Sequence, residues 1–180
     1  DSDTFGLLGP RELPKLWSRH VLNSGLLGEL IQPGDKVVDV GSGAGLPGIP
    51  MAIAVPEAHF TLVEPMERRS NWLVSVVQEL GLENVEVTRS RAEDLERTDF
   101  TVATARAVAA LDKLLRLLTP LIRGSKSGTV LAMKGSKAPE EIQLAAKRME
   151  RLGFEAPEIL TLGEGKAPET ATVVRIRLKA

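Results

Sequence analysis

"VVDVGSGAGLPGIP", residues 37–50, decides how the chain is read. An apolar run of Val37, Val38 and Val40, broken only by Asp39, gives way to four glycines (Gly41, Gly43, Gly45, Gly48) and two prolines (Pro47, Pro50). Such a run, preceded by the turn residues Pro33, Gly34 and Asp35, is the pattern of a buried strand. Glycine directly after a strand lets the backbone take positive φ or approach a ligand closely. The dinucleotide fingerprint G-x-G-x-x-G aims a helix N-terminus at a pyrophosphate. Gly43-x-Gly45-x-x-Gly48 fits it formally but starts several residues after the strand. Gly41-x-Gly43 starts directly after the strand but has Leu46 where the third glycine belongs.

Working outward, residues 12–30 read as a helix, with Leu13, Leu16, Trp17, Val21, Leu26 and Leu30 as an imperfect stripe interrupted by Gly25. "KVVDV" (36–40) is the first strand, and a helix starts near Pro47 or Gly48. "HFTLVEP" (59–65) is the second strand. Residues 67–82 form a helix with Trp72, Leu73, Val76, Val77 and Leu80 on one face and Gly81 as its stop. "VEVTR" (85–89), "FTVATARA" (100–107) and "GTVLAMKG" (128–135) are three further strands. Helices over 111–122 and 139–152 follow the fourth and fifth strands, and two strands close the chain. Strand–helix alternation implies a parallel sheet covered on both faces. The last two strands are joined by "GEGKAPET", too short for a parallel crossover, so they pair antiparallel. The expectation is one α/β domain over residues 1–180, a mostly parallel seven-stranded sheet with an antiparallel C-terminal strand. Ligands of such sheets bind outside the carboxyl ends of the strands.

Composition narrows the chemistry. The 180 residues include no cysteine, which excludes a cysteine nucleophile and thiolate-ligated zinc. The two histidines, His20 and His59, are far apart in sequence, so no metal is expected. No apolar run approaches the ~20 residues of a membrane helix and no secretory signal is visible; the expected location is the cytoplasm, with no membrane partner. A net charge of −1 counts against a basic nucleic-acid groove. Basic residues still gather locally: Arg11, Lys15, Arg19 and His20 in one region, Lys126, Lys134 and Lys137 in another.

Two carboxylates sharpen the glycine loop. Asp39, just before it, disfavours a pyrophosphate and suits a cationic ligand. Glu64 ends the second strand and can accept from ribose hydroxyls. S-adenosylmethionine combines a sulfonium, an amino group and a ribose without phosphate, so it is favoured, along Gly41, Ser42, Gly43 and Gly45, over a dinucleotide or a purely structural turn. "RAED" (91–94) follows the third strand, where the Ala92 backbone and Glu93 or Asp94 could read an adenine edge; the alternative is an acidic helix start.

The motifs "DVGSGAGLPGIP", "RAED", "TARAVAALDKLL", "TPLI" and "AMKG", with "LWSRHVLNS" upstream, resemble the RsmG family, also called glucose-inhibited division protein B. Its members are bacterial 16S ribosomal RNA guanine-N7 methyltransferases. The resemblance implies the Rossmann-like class I methyltransferase fold, S-adenosylmethionine as donor, and N7 of a guanine in the 530 loop of 16S ribosomal RNA as acceptor. It carries donor contacts to Gly41, Leu46, Ala92, Glu93 and Arg106. Relative to the family, the helical segment at about residues 11–30 looks shortened at its N-terminal side. The alternatives are a class I methyltransferase with another substrate and a non-catalytic S-adenosylmethionine- or RNA-binding module.

Guanine N7 carries a lone pair and no proton, so neither a general base nor a covalent nucleophile is required. Positioning and electrostatics then carry catalysis. Arg106 and Lys134, at the ends of the fourth and fifth strands, are the positioning candidates; Lys134, Arg19 and His20 are the expected RNA contacts. Trp17 is expected in the core, with Phe5 and Trp17 the nearest aromatics to the base. The favoured partner is 16S ribosomal RNA within a small-subunit particle, bound by a monomer.

Overall fold

The computed structural model describes Leu7, residues 9–106 and residues 108–179. Phe5 and Ala107 lie outside the described residues. Seven strands form one sheet: β1 (Lys36–Val40), β2 (His59–Val63), β3 (Val85–Thr88), β4 (Val102–Arg106), β5 (Thr129–Lys134), β6 (Glu158–Leu162) and β7 (Ala171–Arg177). Their order is β3-β2-β1-β4-β5-β7-β6. All pairings from β3 to β5 are parallel, and β7 runs antiparallel to both β5 and β6. The strand order therefore reverses between β1 and β4, the point at which this kind of sheet opens a crevice at its carboxyl edge.

The α-helices are α1 (Asn23–Leu26), α2 (Gly48–Ala54), α3 (Glu67–Glu79), α4 (Leu111–Ile122) and α5 (Ala138–Leu152). Side-chain alternation along each strand divides the core in two. Val38, Val40, Ala103, Ala105, Val130 and Ala132 face α4 and α5, with Leu114, Leu115, Leu118 and Ala145 packed on them. Val37, Phe60, Val102 and Leu131 face the other way, against Leu27, Ile31, Met51 and Ala52. Leu62 and Leu73 fill the space beneath α3. Both faces being covered explains why β1 reads as a nearly unbroken apolar run.

The single helix expected over residues 12–30 is instead a chain of short turns. A 3-10 stretch (Pro10–Lys15) leads into a π-helical one (Leu16–Leu22), then α1, then a second 3-10 stretch (Leu27–Leu30). Pro14 sits inside the first piece and lacks the N–H that a regular ladder would use. Trp17 is not in the core. It is 69% exposed, at the edge of an apolar groove shared with Leu16, Ile49 and Trp72. Among the described residues, no helix is long and apolar enough to cross a membrane.

Candidate functional site

At the β1/β4 reversal the carboxyl ends of the strands open into a cleft of about 1240 Å³. Its walls come from the loops after β1, β2, β4 and β5 and from the N-terminal segment. That exceeds the ~300–1,000 Å³ of an ordinary small-molecule pocket and leaves room for two reactants.

The glycine loop forms the floor. Asp39 follows Val38 on β1 and so points to the face that carries α2. There its Oδ2 accepts the N–H of Gly48 at 3.1 Å, at the start of α2. Ser42 Oγ closes the turn by donating to the Asp39 carbonyl at 2.8 Å. A Cβ on Gly48 would lie 2.3 Å from Leu62 Cδ2 and 2.8 Å from Asp39 Oδ2, so this close approach requires glycine. Asp39 is 1% exposed, does not line the cleft, and its Oδ1 has no hydrogen-bond partner. Burial pushes its carboxyl up to about 7, against the Gly48 and Ser42 hydrogen bonds and the charge of Arg106. The expectation that Asp39 faces a cationic ligand directly is thus corrected: strand alternation turns it beneath α2, where it organises the loop.

Glu64 does face the cleft. Its Oε2 accepts from Gly43 N–H and its Oε1 from Met66 N–H, both at 3.0 Å, so one carboxylate ties the β1 loop to the β2 loop. Each oxygen keeps a second lone pair for a hydroxyl donor. Gly43 has φ +53°, and a Cβ there would meet only the Gly41 carbonyl oxygen, at 3.7 Å. Its open side is the kind of backbone approach a ligand needs.

Arg106 and Lys134 leave the sheet in opposite directions. Arg106 shares the face of Val102 and turns toward the N-terminal segment, where Nη1 donates to His20 Nδ1 at 2.7 Å. His20, 8% exposed, contacts Glu12 Oε2 through Nε2 at 2.8 Å. Burial lowers the Arg106 guanidinium below its usual value, while the charges of Asp39 and Glu12 hold it up. Lys134 shares the face of Val130 and Ala132 and turns toward α5. Its Nζ donates to the Ala109 carbonyl at 2.9 Å and pairs with Glu141 Oε2 at 2.8 Å. Glu141 Oε2 also accepts from Leu111 N–H at 2.7 Å. Burial raises the Glu141 carboxyl, but Lys134 and the Leu111 N–H outweigh it and leave the group below the usual range.

Gly41, Ser42, Gly43, Leu46, Glu64, Arg106, Lys134, Arg19 and His20 all line this cleft. Gly45 lies on the neighbouring apolar groove. Ala92 and Glu93 do not line the cleft: Ala92 starts a 3-10 turn (Ala92–Asp94) and is buried in the core, and Glu93 is exposed. Of the lysines grouped in sequence, Lys126 is set apart by the length of β5, whereas Lys134 and Lys137 both act on Glu141. Three lining carboxylates, Glu12, Glu141 and Glu169, are missed by the motifs. Glu12 meets His20, eight residues on, across the break between the 3-10 and π-helical pieces, a contact that no regular helical spacing signals; Glu141 carries no sequence signal of its role. Among the described residues, no cluster of His, Asp and Glu side chains is arranged to hold a metal.

The sheet order, the glycine turn and the cleft at the carboxyl edge define a class I S-adenosylmethionine-dependent methyltransferase fold. Solved structures share it at low identity. A SAM-dependent methyltransferase from Aquifex aeolicus has a TM-score of 0.61 and 19% identity, over 99% of this chain and 94% of that one. Magnesium protoporphyrin IX methyltransferase from Synechocystis, solved with bound SAM, has a TM-score of 0.62 and 14% identity, over 88% of this chain and 76% of that one. Within this fold the chain belongs to the family described as rRNA small subunit methyltransferase G (GidB), whose sequence profile matches residues 2–169. Relatives named ribosomal RNA small subunit methyltransferase G include one from Pseudarthrobacter chlorophenolicus, 52% identical across 95% of this chain and 79% of its own length. Another, from Mycolicibacterium smegmatis, is 48% identical across 98% of this chain and 75% of its own length.

Proposed function

We propose that this chain transfers the methyl group of S-adenosylmethionine to N7 of a guanine in the 530 loop of 16S ribosomal RNA, acting in the cytoplasm as a monomer on a small-subunit particle. The observation that carries the reading is the glycine loop: its open side at Gly43 faces a cleft that also holds the Glu64 carboxylate and the Arg106 guanidinium. A pyrophosphate there would lie against Glu64, whereas a ligand with ribose hydroxyls, a carboxylate and cationic groups matches these side chains. The family supplies the RNA substrate.

The donor supplies an electrophilic methyl on a positively charged sulfur, and transfer to N7 leaves a neutral thioether and a cationic base. Glu64 would accept from the ribose hydroxyls, and the Gly41–Gly43 backbone would run along the amino-acid portion. Arg106 keeps N–H donors beyond the one given to His20 and would receive the donor's carboxylate. Lys134 keeps one N–H after Ala109 and Glu141 and would meet guanine O6 or a phosphate. The paired Glu141 offsets its charge, which matters because the base becomes positive during reaction. Arg19, exposed at the rim, would meet RNA phosphates. Ala92 and Glu93 stay candidates for the adenine through the loop after β3.

The test is incubation with small subunits lacking the modification and methyl-labelled donor, followed by mapping of the labelled base. Label at one guanine N7 of the 530 loop is expected, with a short isolated stem-loop a poor substrate. Label on a free metabolite, or donor binding without any transfer to subunits, would overturn the assignment.

A further inference from the structure

We infer that Glu12 is a positioning residue for Arg106, acting by fixing the tautomer of His20. The inference rests on the reading of Arg106 as a donor-binding residue. The guanidinium of Arg106 has only N–H donors, so His20 Nδ1, 2.7 Å away, is an acceptor and carries no proton. A neutral imidazole holds its one N–H on the other nitrogen. His20 Nε2–H therefore donates to Glu12 Oε2, 2.8 Å away. The opposite tautomer would set N–H against N–H at Arg106 and a lone pair against a carboxylate at Glu12. An imidazolium would keep the Glu12 contact but place a second cation against Arg106.

With His20 only 8% exposed, water cannot readily replace a lost partner. The charged groups around the ring are consistent with one arrangement: Glu12 and Arg19 from the N-terminal segment, Arg106 from β4, and Asp39 on β1 beside Arg106. The His20 hydrogen bond is the largest influence drawing the Glu12 carboxyl below its usual range. Both ring nitrogens of His20 are engaged with protein, so its work is to aim the guanidinium into the cleft and tie the N-terminal segment to β4, not to meet a phosphate.

The chain has two histidines, so nitrogen-15 spectra of the ring nitrogens resolve His20 from His59 directly. At neutral pH the unaltered protein should show His20 protonated at Nε2 and unprotonated at Nδ1; protonation at Nδ1 would overturn the inference. Donor titration by calorimetry supplies the second readout. Glu12→Ala should weaken donor affinity about tenfold, the low end of what loss of an orienting partner costs. Glu12→Gln, whose amide oxygen still accepts the Nε2–H, should restore most of it, as a purely electrostatic role would not. Arg106→Gln should weaken binding, and adding Glu12→Ala to it should cost nothing more. Full affinity in Glu12→Ala, with loss in Arg106→Gln, would sink the inference and leave the donor reading standing. Full affinity in Arg106→Gln would instead remove the donor reading of that residue, with the tautomer in the unaltered protein still measured independently. If Glu12→Ala does not fold, Glu12→Gln and the spectra of the unaltered protein still decide.

Discussion

Asp39→Asn should abolish a fall in stability that the unaltered protein shows between pH 5 and 8. Burial without a cation in contact raises the Asp39 carboxyl from an ordinary 3.8 to about 7. Below the unfolded value both states hold the proton and nothing is lost. Between there and about 7 the native protein keeps a proton that the unfolded chain has released, so unfolding becomes easier as pH rises. Above about 7 the loss is complete. At about 1.4 kcal/mol per pH unit, the full effect is about 4 kcal/mol, of which about 3 kcal/mol falls between pH 5 and 8. The carboxamide retains one oxygen for the Gly48 N–H and carries no charge, so its own contribution to stability is the same at every pH. Urea denaturation of both proteins across that range isolates the effect as the difference between two curves. Glu12, Asp99, Asp112 and Glu158 are held below their usual range by ion pairs and hydrogen bonds, so their contributions run the other way and are lost in acid. They cancel in the difference. Parallel stability curves, with a gap independent of pH, would show that Asp39 is already ionised in the folded protein at pH 5 and refute the argument from burial.

The remaining expectations concern the loop and the Lys134–Glu141 pair. Gly48→Ala forces a methyl to within 2.3 Å of Leu62 Cδ2 and should destabilise the fold, seen as a lower thermal midpoint, by about 1–3 kcal/mol. Gly43→Asp, at φ +53° with an open side, should fold with a smaller penalty, about 1–2 kcal/mol, while losing donor binding in calorimetry; unchanged affinity would remove the loop from the site. Glu141→Gln leaves Lys134 uncompensated and, under the proposed function, beside a base that turns cationic, so kcat on small subunits should fall about a hundredfold, the low end for one electrostatic contact, with donor affinity unchanged. A fall in donor affinity with kcat preserved would place Glu141 on the donor side instead.

The sheet was legible because each of its strands is signalled locally. Continuous apolar runs, turn residues at their ends and amphipathic helices between them dictate a covered parallel sheet, and the short last connection dictates the antiparallel strand. The glycine loop was legible for the same reason: positive φ and close approach leave their mark as glycine. What stayed hidden depends on direction. Asp39 looks like a ligand residue in sequence, yet alternation along β1 turns its carboxylate under α2. Trp17 looks like core, yet the broken turns of the N-terminal segment leave it outside. Arg106 and Lys134 look equivalent at two strand ends, yet they lie on opposite faces and each meets its own carboxylate, one through His20 and one directly.

That last difference bears on how the site works. A methyl acceptor that becomes cationic is poorly served by two bare positive charges around the base. The fold supplies Glu12 and Glu141 from outside the recognised motifs, so each cation stands in the cleft with a counter-charge behind it. Lys134 has its carboxylate in direct contact, and Arg106 has an imidazole interposed. The direct pair softens the charge that Lys134 presents to the cleft, while the interposed ring leaves the guanidinium's charge available and constrains its direction. Under the proposed function the two arrangements would suit the two sides of the cleft: charge tempered where the base turns positive, and charge aimed where an anionic donor carboxylate is to be held.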